Sequence, residues 1–252
     1  MLWLELGCVA FLAGVVDAVI GGGGLLQLPA LFTLMPGTAP AVLLGTSKLS
    51  SIFGTAGAAV QYSRALRPPW RMIWPAILLA FIASLVGALL IAQIPAEPVR
   101  KILPFVFLAL LIYCWRTSDG RQERQSTEVY ARTARQRAGV GAAVIGFYDG
   151  LIGAGTGAFL KLLYVRGLGM SFLQAAAPAK LTNLASNLAA VLVFACAGSL
   201  SWSLGLWMAL ANLLGGVCGS QLALRFGNAF VRRAFLLLVS VLTLKSFWDV
   251  YV

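Results

Sequence analysis

Apolar residues in this chain come in long unbroken blocks, separated by short polar or glycine-rich stretches, and follow no strand alternation. The blocks lie near residues 2–20, 25–35, 39–62, 71–94, 98–116, 138–152, 156–165, 171–197, 203–224 and 229–251. Most approach the roughly 20 residues that carry a helix across the ~30 Å hydrocarbon core of a bilayer. Blocks 25–35 and 156–165 are too short, covering only about 16 Å as helices. Each follows a glycine cluster, GGGG at 21–24 and GAGTG at 153–157. Glycine breaks helices through its backbone entropy and its access to positive φ. The pattern predicts an all-α polytopic membrane bundle with no room for a soluble domain. The N-terminal block lacks a basic leader and carries Glu5 and Asp17, so it reads as a retained membrane segment.

The pattern also occurs twice. Residues 14–62 align without a gap to 146–194 at a constant offset of 132. Gly14/Gly146, Asp17/Asp149, Ile20/Ile152, Gly21/Gly153, Gly23/Gly155, Gly37/Gly169, Lys48/Lys180 and Leu49/Leu181 coincide. The same register continues to Trp70/Trp202, Gly87/Gly219 and Val99-Arg100/Val231-Arg232. Duplicated halves are a common plan of secondary transporters. The chain therefore divides into a first membrane repeat, 1–117, a basic linker, 118–137, and a second repeat, 138–252.

Two topologies fit. If 2–35 and 138–165 each cross once, there are eight crossings and the halves run parallel. If each turns back at its glycines as a re-entrant hairpin, each half keeps three spanning helices and the halves are inverted. Loop charges discriminate. With Lys48, Lys161 and Lys180 set aside as intramembrane, the inverted arrangement gathers 13 arginines on one face: Arg64, Arg67, Arg71, Arg116, Arg121, Arg124, Arg132, Arg135, Arg137, Arg166, Arg225, Arg232 and Arg233. Only Arg100, Lys101 and Lys245 face the other way. The parallel arrangement divides the same 16 residues 10 to 6. Because cytoplasmic loops carry the excess of Lys and Arg, inversion is favoured, with the linker cytoplasmic and both termini outside an inner membrane of bacterial type.

Composition narrows the function. The chain is 60% hydrophobic and 11% charged, far from the quarter or so of charged residues in soluble domains. Its net charge of +11 sits mainly in short loops, where membrane topology explains it better than nucleic acid does. With no histidine, His-based metal sites, Ser-His-Asp hydrolysis and His proton relays are excluded. Cys8, Cys114, Cys196 and Cys218 are scattered in apolar blocks with no CxxC spacing and read as packing residues. Neither a cofactor nor an enzymatic activity is expected.

The candidate chemistry lies at the breaks and beside them. Glycine-broken backbone at membrane depth is tolerated only where protein or a wet cavity covers it, and helix starts there attract anions. This marks Gly22, Gly23 and Gly24, and in the second half Gly155 and Thr156. Lys48 and Lys180 each begin a long apolar block at the same repeat position, followed by Ser50-Ser51 or Thr182-Asn183. At helical spacing Lys48, Ser51 and Thr55 share a face, as do Lys180, Asn183 and Asn187. A buried ammonium costs about 2.5–3.5 kcal/mol on insertion scales, so such lysines either line a cationic pocket or snorkel to an interface. Ser47 adjoins Lys48. Asp17 and Asp149, one turn before each break, suit three roles: ion pair with a lysine, anchor for the broken backbone, or titrating coupling group, with the two structural roles favoured. Lys161 has Pro29 as its counterpart and Gln27 has Phe159, so any role for either breaks the symmetry.

FLAGVVDAVIGGGGLLQLPAL followed by TSKLSS, with GFYDGLIGAGTGAFLKLLYV and PAKLTNLASN in the second half, resembles the TauE/SafE sulfite exporter family. The resemblance covers nearly the whole chain and implies export of a small anion such as sulfite, thiosulfate or an organosulfonate, without enzymatic activity or prosthetic group. Its motif positions fall on Asp17, Gly21 to Gly24, Pro29, Thr46, Ser47 and Lys48, then Asp149, Gly153, Gly155, Gly157, Lys180, Thr182 and Asn183. Ala177-Pro178 stands where the first half has Gly45-Thr46, so the two halves need not contact substrate equally. The expected partners are a small anion, the lipid bilayer and a proton or sodium ion for coupling; a homo-oligomer is compatible with the sequence. A cationic site of this kind would also serve an anion channel. An intramembrane enzyme or assembly factor is the third class, and it lacks a nucleophile with a base.

Overall fold

The first apolar block becomes α1, Leu2–Val19, and ends because Gly21 takes a φ of +97°, a conformation that side chains with a Cβ rarely adopt. A short helix, α2 (Gly24–Leu34), follows. Pro40 sits in the first turn of α3, Pro40–Leu66, and Arg67 ahead of Pro68-Pro69 stops it. The fourth helix, α4, is Trp70–Ile91. In the second half α5 is Glu128–Leu151, α6 Thr156–Gly167, α7 Ala176–Cys196 and α8 Trp202–Tyr251, the last interrupted at Gly227. The computed structural model describes residues 1–91 and 128–251, with side-chain surroundings for 1–91, 133–237, 240 and 241. The expected block at 98–116 and most of the linker lie outside the described residues. Inside the stretch expected as linker, α5 already starts at Glu128, because 128–138 holds alanine, arginine and glutamine and neither proline nor glycine. All elements among the described residues are helical.

Every described helix of the first half has its mate 132 residues on: α1 with α5, α2 with α6, α3 with α7 and α4 with α8. Their packing is exchanged between the halves. The fourth helix lies against two helices of the second half, α4 on α5 and α7, and its mate against the corresponding two of the first, α8 on α1 and α3. Matched glycines permit this. A Cβ on Gly87 of α4 would overlap the Phe147 carbonyl of α5, and one on its mate Gly219 of α8 would come within 2.5 Å of the Val15 carbonyl of α1.

Both short helices fold back along the helices before them. Leu31 of α2 joins Leu6 and Ala10 of α1, Leu43 of α3 and Met208 of α8 in one apolar cluster. The matching cluster holds Leu160 and Tyr164 of α6, Ala138 and Ala142 of α5, Ala179 of α7 and Ala76 of α4. Between these clusters α3 and α7 run antiparallel. Gly45 near the start of α3 packs on Phe194 near the end of α7, while Ala58 and Tyr62 share a cluster with Ala176 and Ala177.

The bundle is apolar outside and small or polar inside. On α4, Trp74, Leu78, Ile82, Val86 and Leu89 are exposed, whereas Ala76, Ala80, Ser84 and Gly87 are buried. That distribution inverts a soluble protein's and suits a hydrocarbon surround, in which helices associate through small residues. Among the described residues four helical stretches are long and apolar enough to cross a membrane: Leu2–Val19, Trp70–Ile91, Ala176–Cys196 and Trp202–Leu237.

Candidate functional site

The two glycine breaks begin with the same local structure. Ile20 and Gly21 donate to the Val16 carbonyl at 2.8 and 3.3 Å; Ile152 and Gly153 donate to the Tyr148 carbonyl at 2.9 and 3.3 Å. Gly153 repeats the positive φ at +79°. The breaks also touch each other. Ala158 N–H donates to the Gly21 carbonyl at 2.9 Å, and a Cβ on Gly21 would overlap the Gly157 backbone. Glycine is therefore required at 21 both by its φ and by the close approach.

The buried charges gather around these breaks. Among the described residues Asp17, Lys48, Asp149, Lys161 and Lys180 are the buried ionisable acids and bases, three lysines against two aspartates. Neither repeat-matched lysine reaches the surface: Lys48 is 4% exposed and Lys180 is 1% exposed. Each pairs with the aspartate of the opposite half, Lys180 Nζ with Asp17 Oδ2 at 2.5 Å and Lys48 Nζ with Asp149 Oδ1 at 3.1 Å. These pairs cross the boundary between the repeats.

Around the first pair, Asp17 Oδ1 accepts from Gly23 N–H at 3.4 Å and Oδ2 from the Thr55 hydroxyl at 3.2 Å, which ties the break to α3. Around the second, Lys48 Nζ also donates to Asn187 Oδ1 at 3.3 Å, and Asn187 Nδ2 donates to the Asn183 carbonyl at 2.9 Å. The third lysine, Lys161, donates to the Val19 carbonyl at 2.6 Å, where the last turn of α1 presents the negative end of its dipole.

A cavity of about 20 Å³ lies between the breaks, enough for one water-sized group. Its wall includes Asp17, Ser47, Lys48, Ser51, Asn183 and Asn187, with Gly24, Gly155, Thr156 and Gly157 from the starts of α2 and α6. Of the residues singled out in the sequence, Gly22, Gly23, Asp149, Lys180 and Thr182 lie off this wall. Gly23 binds Asp17, Asp149 stands behind Lys48, and Lys180 is held by Asp17. Thr182 shares a 2.7 Å hydrogen bond with the Tyr164 hydroxyl. Gln27 donates to the Ser47 carbonyl at 3.1 Å and accepts from Asn212 Nδ2 at 2.9 Å. Asn212 and Tyr148, whose hydroxyl donates to the Ala154 carbonyl at 2.8 Å, were not marked by the sequence reading. A lone polar residue in an apolar block was the available signal for Asn212, and adjacency to Asp149 for Tyr148. Among the described residues no group of His, Cys, Asp and Glu could hold a metal ion.

The family model described as "Sulfite exporter TauE/SafE" matches residues 6–246. A protein of Haemophilus influenzae described as a "Probable membrane transporter protein" is 34% identical over 246 residues, covering 96% of this chain and 93% of its own. The Sinorhizobium protein described as "Probable membrane transporter protein ORF9" is 34% identical over 244 residues, 95% of this chain and 90% of its own. YfcA of Escherichia coli K12, with the same description, is 32% identical over 241 residues, 96% of this chain and 88% of its own. No solved structure matches.

Proposed function

The chain belongs to the TauE/SafE sulfite exporter family, and on that premise we propose that this multi-pass membrane protein is a secondary transporter that exports a small anion. The substrate class is a sulfur oxyanion or an organosulfonate, moved by alternating access around the paired glycine breaks. No chemical conversion of the anion is part of this role. The observation that carries the reading is the exchanged lysine–aspartate arrangement, in which Lys48 faces a cavity walled by the starts of two broken helices. An anion there meets the Lys48 ammonium, the Asn183 amide, the hydroxyls of Ser51 and Thr156, and two positive helix ends, while the Asp17 carboxylate on the same wall is engaged by Lys180.

The cavity is narrower than an oxyanion, so the helices must part to admit one, as alternating access requires. Antiparallel α3 and α7, with α2 and α6 folded back, support reading the halves as inverted repeats with re-entrant hairpins. In that arrangement residues 1–117 and 138–252 are the two units, the tract 118–137 faces the cytoplasm, both termini lie on the outer side of the inner membrane, and the site is near the midplane. A proton or a sodium ion couples the movement.

The test is counterflow exchange by the purified protein in liposomes, with sulfite, thiosulfate, ethanesulfonate and acetate as probes. Saturable exchange of the sulfur anions, faster than that of acetate, is the expected result. Flux of all four at channel rates without counterflow would exclude a carrier.

A further inference from the structure

The two lysine–aspartate pairs are equivalent in sequence and unequal in chemistry. Asp17 is saturated: one oxygen accepts from Gly23 N–H, the other from Thr55 and Lys180. Asp149 is 1% exposed and, among the described residues, has Lys48 as its one charged partner. Its Oδ1 lies 3.1 Å from Lys48 Nζ without hydrogen-bond alignment, and its Oδ2 accepts no hydrogen bond among the described residues. Thr156 Oγ1, on the cavity wall and 1% exposed, also has none.

The inequality has a cause in two repeat positions. The mate of Thr55 is Asn187, whose amide N–H groups are spent on Asn183, so its oxygen competes for Lys48 where Thr55 donates to Asp17. The mate of Gly23 is Gly155, and the two differ in backbone: φ is −57° at Gly23 and +80° at Gly155. No bond from Gly155 N–H to Asp149 forms. Other charged groups on the packed elements are engaged or remote. Lys161 and Arg166 lie on α6, the former bound to Val19; Lys180 on α7 is paired with Asp17; Arg71 on α4 is exposed; Tyr148, beside Asp149, donates to Ala154.

Building on the anion-transport reading above, we propose that Asp149, alone of the two aspartates, carries a proton through the transport cycle. Lys48 can serve either Asp149 or the anion. When the anion takes the ammonium, Asp149 becomes an uncompensated buried carboxylate, a state that proteins avoid by neutralising the group. A proton from the solvent on the open side bonds to the bare Oδ2 and removes that charge. When the anion leaves, Lys48 returns to Asp149 and the proton is released to the same side as the anion. Anion and proton thus travel together, one proton for a monoanion, and export removes one acid equivalent with each. Asp17, held by three donors whether or not an anion is present, is the fixed anchor.

The experiment uses the full chain in liposomes with radiolabelled ethanesulfonate, which stays a monoanion across the working range, and an entrapped pH dye. Wild-type protein should accumulate the probe about tenfold for each pH unit of inward acid gradient, as one-to-one coupling requires. D149N should keep counterflow exchange within about threefold and lose the response to the gradient; D149E should restore it. Gradient-driven accumulation by D149N, or loss of its exchange, would overturn the assignment. So would a D149N protein that cannot be purified folded, since Asp149 would then be an anchor like Asp17. Normal exchange by K48A would instead remove the site reading itself. A wild-type protein that exchanges none of the sulfur anions would remove the transport reading and this inference with it.

Discussion

Lys180 Nζ of α7 lies 2.5 Å from Asp17 Oδ2 of α1, and the pair joins the two repeats through a carboxylate that also holds Gly23 and Thr55. Removing one partner of such a buried pair leaves the other charge uncompensated. Lys180→Ala should therefore cost about 3–5 kcal/mol of stability. Joint replacement with Asp17→Ala should recover part of the loss through a coupling of about 0.5–3 kcal/mol. Thermal unfolding of the three variants in detergent measures this; additive losses would show that the pair is not coupled.

Lys48 is the lysine on the cavity wall. Lys48→Ala should lower anion counterflow at least about tenfold, the loss of one charge-assisted contact of roughly 1.5–3 kcal/mol, while the protein still elutes as a folded species. Flux within twofold of wild type would remove the cationic site.

Gly21 must be glycine for two reasons, its φ of +97° and the Gly157 backbone against it. Gly21→Ala should prevent stable folding, because neither obstacle is a flexible side chain. Gly37→Ala, where an added Cβ meets nothing within 4 Å, should leave yield and unfolding temperature unchanged. Equal behaviour of the two variants would contradict the close contact between the breaks.

Topology can be read with a thiol reagent that does not cross membranes. Gly37 lies between α2 and α3 and Gly167 at the end of α6, and at both sites an added Cβ meets nothing within 4 Å. In a background with Cys8, Cys114, Cys196 and Cys218 replaced by serine, Gly37→Cys and Gly167→Cys should label from opposite sides of the membrane. Labelling of both from one side would favour parallel halves.

Much of this was legible in the chain because the deciding effects are local. An apolar block in lipid must satisfy its own backbone, so it becomes a helix wherever no glycine or proline intervenes. That accounts for α2 and α6 as short elements after the glycine clusters and for the break at Gly227 between the blocks 203–224 and 229–251. A lysine or aspartate in such a block is costly enough to be noticed alone, and its recurrence 132 residues on marked Asp17, Asp149, Lys48 and Lys180 without any knowledge of their partners.

Partnership was decided only in three dimensions. Nothing within one block says that Lys48 should meet Asp149 and Lys180 meet Asp17. Those distances follow from α3 crossing α7 antiparallel and from the backbone contact of Gly21 with Gly157 and Ala158. The unequal surroundings of the two aspartates lay further out of reach. They depend on where one amide points at Asn187 and on one dihedral at Gly155, quantities that packing between distant segments controls.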